Sequence, residues 1–198
     1  MIGRMVDLAD IAALSWPRHT ERLTIRPVTK DDFEALWQIR SLESVARWMG
    51  SASQDYDAFA EFIGAEERMG RTLVILRDDV LIGDLMLAPE DPWSQVEVAE
   101  QAKGVQAEIG WCLDPAVGRN GYATEAVREL IRLSFEELGF RRLVAHCFAA
   151  NEPSWRLMER VGMRREVHTV KESLHRSGEW LDGLSYALLC DEWVEAHS

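Results

Sequence analysis

The chain has 198 residues, enough for one well-cored domain and short for two. Hydrophobic residues make up 47% and charged residues 28%, an ordinary water-soluble composition. The net charge of −12 argues against nucleic acid as a partner, because phosphate binding needs an excess of Lys and Arg, and it is compatible with a cationic substrate such as an amine.

No apolar run approaches the ~18 residues of a membrane span, so no membrane partner is expected. Asp7 and Asp10 interrupt the apolar stretch of residues 1–20, which would spoil a signal-peptide core. Cys112, Cys147 and Cys190 are an odd set without CxxC spacing and point to a reducing compartment; the expected location is cytoplasmic. Residues 1–20 read as an N-terminal extension with a short helix near Leu8–Leu14, and 21–198 as a single domain.

Leu23-Thr-Ile-Arg-Pro27 alternates as a half-buried strand should. Thr29 or Asp31 can cap a helix carrying Phe33, Leu36, Trp37 and Ile39, and a second helix starts near Asp55 and runs towards Gly70. Together they form a helical arm over 31–70. Thr72–Leu76 and Val80–Leu87 read as a hairpin turning at Asp78-Asp79; Gly83 inside the return strand marks a bulge or the close approach of another backbone. Residues 89–104 are polar and hold two prolines, so they read as an excursion over the surface.

Ile109–Leu113 is an apolar β-type run that breaks at Asp114-Pro115 and enters a turn holding Gly118 and Gly121. The helix that follows places Ala123, Ala126, Val127, Leu130, Ile131, Ser134, Phe135 and Leu138 on one face and stops at Gly139. Leu143–Ala150 completes a βαβ unit, whose strands pair in parallel. A helix opens at Pro153-Ser154 and runs to Gly162, and two β runs, Glu166–Leu174 and Trp180–Leu189, turn at Ser177-Gly178.

A strand, a glycine-bearing loop and a helix start make an anion site, because the first helical N–H groups have no intrahelical partner and the dipole adds partial positive charge there. A P-loop would need Gly-Lys-Ser/Thr, which Arg119-Asn120-Gly121-Tyr122 is not. A dinucleotide fingerprint would need G-x-G-x-x-G and an acid ending the next strand, and that strand ends in Asn151.

The window Gly118-Arg-Asn-Gly121-Tyr-Ala123 resembles the acyl-CoA loop Q/R-x-x-G-x-G/A of the GNAT superfamily of N-acetyltransferases. The longer Gly121-Tyr-Ala-Thr-Glu-Ala126 is similar to the subgroup that includes the ribosomal-protein N-terminal acetyltransferases. Leu23–Pro27, Ala107-Glu-Ile-Gly-Trp111, Asn151-x-x-Ser154 with Gly162-Met163, and Tyr186–Trp193 extend the likeness over nearly the whole chain. The pattern's first position departs: Gly118 stands where Gln or Arg is usual, and Arg119 either supplies charge from the next place or is a solvated surface residue.

The resemblance implies an α/β (α+β) GNAT fold, with a mixed central sheet of about six to seven strands, helices on both faces and a splayed parallel pair that holds CoA. It implies transfer of an acetyl or larger acyl group from acyl-CoA to a primary amine by direct attack in a ternary complex. A regulatory or inactive CoA-binding protein of the same fold is the alternative. The amides of Arg119, Asn120, Gly121, Tyr122, Ala123 and Thr124 would hold the pyrophosphate, with Trp111, Cys112 and Leu113 pairing with the pantetheine arm and Asn151 bonded to it.

Glu108, in the strand leading to the loop, is the candidate general base; its bland reading is an exposed or Arg-paired strand carboxylate. Ser154 and Tyr186 are candidates for assisting the departing sulfur, against readings as a helix cap and a packing residue. Trp93 and Trp111 are candidates for lining the acceptor pocket, which the helical arm and residues 89–104 should shape. His146, His168 and His175 lack metal-ligand spacing, so no metal is expected. The acceptor is an amine, on a protein N-terminus or a small molecule, and whether the chain pairs as a homodimer stays open.

Overall fold

Two consecutive aspartates set a tight hairpin turn. Asp78 and Asp79 sit at φ 50° and 62°, the left-handed pair that a tight two-residue turn between twisted strands requires and that Asp tolerates. In the computed structural model, which describes residues 5–197, this turn joins β3 (Thr72–Arg77) to β4 (Val80–Glu90). Ile82 is the extra residue of a bulge, since Ile75 pairs with Gly83 and Leu76 with Leu81. A Cβ on Gly83 would stand 2.2 Å from the Cys112 carbonyl oxygen, which is the close backbone approach expected there.

The remaining strands are β1 (Arg18–His19), β2 (Thr24–Pro27), β5 (Gln106–Leu113), β6 (Arg142–Phe148), β7 (Arg164–Leu174) and β8 (Trp180–Leu189). They form one mixed sheet in the order β1-β2-β3-β4-β5-β6-β8-β7, eight strands among the described residues where six to seven were expected. The extra member is β1, two residues long and too short to leave a periodic trace in sequence.

The sheet is covered on both faces. One face packs Leu85, Leu87, Ala107, Ile109, Leu143 and Ala145 against the long helix α7 (Tyr122–Arg132), which continues as a wider π-type turn over Leu133–Leu138 and ends at Gly139 in the left-handed region, φ 81°. The helix α8 (Glu152–Arg160) adds Leu157 and Met158 to the same core.

The opposite face carries the helical arm: α2 (Phe33–Arg40), α3 (Glu43–Ala46), α4 (Tyr56–Gly64, capped by the Asp55 side chain) and α5 (Glu66–Gly70). Phe33, Leu36, Phe59 and Ile63 pack there on Val74. The arm holds more pieces than two helices, because Ala65 is extended and restarts the chain before Gly70.

Two features fell outside the expected pattern. Residues 91–104 contain a one-turn helix α6 (Ala99–Ala102) and turn towards the N-terminal segment, where Val6 N–H donates to the Gly104 carbonyl (3.0 Å). The chain closes with α9 (Cys190–His197). The helix α1 (Leu8–Ala12) formed as expected, with Val6 and Ile11 inserted in the main core; residues 1–4 of the expected extension lie outside the described residues.

Candidate active site

The parallel pair β5 and β6 is joined over only three rungs: Gln106 with Arg142, Ala107 with Leu143, and Glu108 with Val144. From Ile109 onward β5 stays paired to β4 on one side, through Gly83 with Leu113, while its other edge leaves β6. A strand edge with one free row of amides and carbonyls can accept an extended ligand as an additional strand.

At the end of that edge lies the loop. Asp114 takes the Ala116 N–H (2.8 Å) on its side chain, and the Asn120 side-chain amide donates back to the carbonyls of Val117 (3.1 Å) and Gly118 (3.2 Å), so the loop is held by its own polar groups. Arg119 and Gly121 are both in the left-handed region, φ 65° and 82°. Gly118 needs no such freedom, but a Cβ there would come to 3.0 Å from the Pro115 carbonyl oxygen.

Among the described residues, none of the amides from Arg119 to Thr124 donates to a protein acceptor; the first that does is Glu125, to the Gly121 carbonyl (3.0 Å). Six consecutive free N–H groups at a helix start fit a multiply charged anion. Arginines surround the loop. Arg22 donates to the Asn120 carbonyl (3.0 Å) and lies over the Tyr122 ring, and Arg160 donates to the Thr124 hydroxyl (3.3 Å). Sequence reading missed Arg22 and Arg160 because both reach the loop across tertiary contacts. The one local trace was Arg156 and Arg160, four apart on one stripe of α8.

Two cavities open on either side of the split. One, of 570 Å³, runs along Trp111–Leu113 and the loop from Gly118 to Thr124 to Arg156 and Arg160. The other, of 430 Å³, lies on the helical-arm face, where strand alternation delivers Asp84 and Met86 of β4, Glu108 and Gly110 of β5, and His146 of β6. The two share a wall made of Trp48, Met49, Trp111, Asn151 and Ser154.

The expected residues divide accordingly. Trp111, Asn151 and Ser154 stand at the shared wall, the loop residues in the first cavity, and Glu108 in the second. Burial pushes the Glu108 carboxyl above the usual carboxylate range, with the nearby charges of His146 and Arg71 acting the other way. Burial pushes the Cys147 thiol up to about 11, with the neighbouring Ser154 hydroxyl acting the other way. Cys112 is likewise pushed up by burial, and neither thiol is poised as a nucleophile.

Tyr186 is not brought to this group. It lines neither cavity, and its hydroxyl is held between Arg165 (2.8 Å) and Glu159 (2.9 Å) under α8. Trp93 is 90% exposed and lines neither cavity. Residues 89–104 also line neither; the helical arm does, through Arg40, Phe62, Ile63 and Arg68.

Trp48 and Met49 had no sequence signal, because the segment after α3 is held by distant partners. His175, in the β7–β8 turn, accepts the Ser177 N–H on Nδ1 (3.2 Å), so its Nε2 carries the proton donated to the Arg47 carbonyl (2.8 Å). Arg176 donates to the Met49 carbonyl, and the Trp48 ring packs against Phe148 and His175.

The domain profile described as Acetyltransferase (GNAT) domain matches residues 22–164. The chain belongs to the GNAT acetyltransferase family. The Bacillus subtilis protein named "Uncharacterized N-acetyltransferase YnaD" is 30% identical over 88% of this chain and 97% of its own length. "Putative ribosomal N-acetyltransferase YdaF" of the same organism is 28% identical over 87% of this chain and 94% of its own. A GNAT-family acetyltransferase structure from Bacillus anthracis superimposes with a TM-score of 0.74 at 29% identity, covering 88% of this chain and 98% of that one. No helix among the described residues is long and apolar enough to cross a membrane.

Proposed function

We propose that this chain is an acyl-CoA-dependent N-acyltransferase in which a primary amine attacks the thioester carbonyl directly, in a ternary complex, with acetyl as the first acyl group to test. The observation that carries the reading is the pair of cavities meeting at Trp48, Met49, Trp111, Asn151 and Ser154, since direct transfer needs donor and acceptor to reach one point from opposite sides.

On the donor side, the amides of Arg119–Thr124 bind the pyrophosphate, Arg22 and Arg160 add charge, and the free edge at Trp111–Leu113 pairs with the pantetheine amides. Asn151 has no side-chain partner among the described residues and is available to the same arm. The free cysteines Cys112, Cys147 and Cys190 suit a reducing compartment, here taken as the cytoplasm.

On the acceptor side, most amines carry a proton at neutral pH and must lose it before attack. Glu108 takes that proton; burial raises its pKa, which makes it a stronger base than an exposed carboxylate. The C–N bond forms as the C–S bond breaks, the surplus proton on nitrogen passes to the departing thiolate so that CoA leaves as the free thiol, and Ser154 donates a hydrogen bond to that sulfur. Tyr186 receives no role.

The test is acetyl-CoA turnover with a panel of primary amines, followed as free thiol. Amine-dependent release above hydrolysis is expected. CoA binding without product from any amine would turn the reading towards a regulatory CoA-binding protein.

A further inference from the structure

The acceptor cavity is lined by one more arginine than carboxylates in a chain of net charge −12. Its walls carry the guanidiniums of Arg40, Arg68 and Arg71 against the carboxylates of Asp84 and Glu108. Arg40 is fully committed: two of its nitrogens hold both oxygens of the buried Asp84.

Arg68 is different. It has no carboxylate within ion-pair distance and no guanidinium hydrogen bond among the described residues. It is fixed instead by stacking on Phe62, another cavity residue, with its guanidinium carbon 3.6 Å from the ring centroid. Arg71 has one partner, Glu67 at 3.2 Å, whose side chain is 75% exposed, so that pair is weak.

Arg71 repels Arg68 and already acts on the Glu108 carboxylate, so Arg68 is the guanidinium with most to gain from a bound anion. Loss of solvent, and then the charge of Arg71, hold the Arg68 guanidinium below its ordinary pKa, although an Arg stays protonated throughout the working range. A planar guanidinium with free donors matches a carboxylate or a phosphate edge-on, and a stacked one is already oriented for it. The same cavity is lined by Glu108, the proposed base. A volume of 430 Å³ is the size of a small-molecule site.

Resting on the acyl-transfer reading above, we infer that the acceptor is a small molecule bearing an acidic group as well as its primary amine, with the carboxylate or phosphate held by Arg68 and Arg71 and the amine directed to Glu108. The overall negative charge alone would have suggested a polycation. Each additional positive charge brought beside Arg68 and Arg71 would instead be repelled.

The test compares kcat/KM for matched acceptors that differ by the acid: phenylalanine against phenethylamine, and phosphoethanolamine against ethanolamine. Wild type, Arg68→Gln, Arg68→Lys and Arg71→Gln are measured with acetyl-CoA as donor. In the wild type the acidic member of at least one pair should be preferred by about tenfold or more, the size of one charge-assisted hydrogen bond. The pair with the larger ratio says which acid the arginines take. The ratio should fall towards one in Arg68→Gln and Arg71→Gln, while Arg68→Lys keeps part of it. Should Arg68→Gln fail to fold, Arg71→Gln and Arg68→Lys carry the comparison. Turnover of amines with no preference for the acid, or a preference that survives the Gln variants, overturns the inference and leaves acyl transfer standing. No amine-dependent thiol release from any member overturns the acyl-transfer reading and the inference with it.

Discussion

Glu108 and Val144 form the last rung of the parallel ladder between β5 and β6. Beyond them the strands part, so the proposed base stands where the sheet changes from closed to open. The proposed donor edge begins three residues further on, at Trp111, and the proposed acceptor cavity lies on the face to which Glu108 points.

That edge depends on Gly83. In Gly83→Ala the new methyl would meet the Cys112 carbonyl at 2.2 Å, and a backbone oxygen in a paired strand has little room to yield. A loss of about 1–3 kcal/mol is expected, which lowers the melting temperature by about 2–4 °C per kcal/mol for a chain of this size. Thermal unfolding followed by circular dichroism checks it. Acetyl-CoA binding should weaken as well, because the displaced strand is the donor edge.

Arg40 and Asp84 make a buried pair next to the acceptor cavity, with Asp84 only 2% exposed. Arg40→Leu strands the carboxylate and should cost about 3–5 kcal/mol, whereas the double variant Arg40→Leu with Asp84→Leu should recover much of that loss. Urea unfolding of both single variants and the double variant measures the coupling. Additive losses would mean that the pair is not what holds these side chains in place.

A third prediction concerns acid. Glu166 of β7 is bonded to Arg142 of β6 (2.6 Å) across the intervening β8, and to Arg164 (2.7 Å), and these arginines hold its carboxyl at about 2. A folded-state pKa below the unfolded value of about 4.5 contributes stability above that value, and the contribution is lost as the pH falls towards 2. The site is partly solvent-screened, so the contribution is about 1 kcal/mol. Glu166→Gln should therefore be less stable than wild type at pH 7 and equal to it near pH 2, as denaturant midpoints across that range would show.

Much of this architecture was legible in the sequence because the informative patterns were local. The Gly118–Ala123 window marked the loop, the stripe from Ala126 to Leu138 marked α7, and Gly83 marked the close approach of β5. What escaped was assembled by contacts over long separations. Trp48 and Met49 owe their positions to His175 and Arg176 in a hairpin far along the chain. Arg68 and Arg71 carried no sequence signal, and only the fold turns them to one cavity. Arg40 was detectable in principle, because it falls on the buried stripe of Phe33 and Leu36 and so required a buried partner. Tyr186 shows the converse: its place on β8 suggested proximity to the site, but alternation turned its hydroxyl towards Glu159 and away from both cavities.

Gly121 tests the donor loop. At φ 82° it takes a conformation that a β-branched residue strongly resists, and it sits among the free amides. Gly121→Val should lower the melting temperature through that strain while leaving a cooperative transition, and abolish CoA binding by calorimetry. Unchanged affinity would mean that the pyrophosphate binds elsewhere.

Glu108 tests the acceptor side. Glu108→Gln should lower kcat/KM by about 10²–10⁴-fold. In the wild type, activity should fall on the acid side as Glu108 takes up a proton, at a pH above the ordinary carboxylate value because burial raises its pKa, and the variant should lack that limb. An acid limb that persists in the variant would assign the base to another group.

The central claim, that an amine in one cavity attacks the acyl group of a donor in the other, is tested most directly by initial rates of thiol release with acetyl-CoA and an accepted amine varied together. Lines that intersect in the double-reciprocal plot, with release requiring the amine, are predicted for direct attack in a ternary complex. Parallel lines, or thiol released at the same rate without amine, would contradict it.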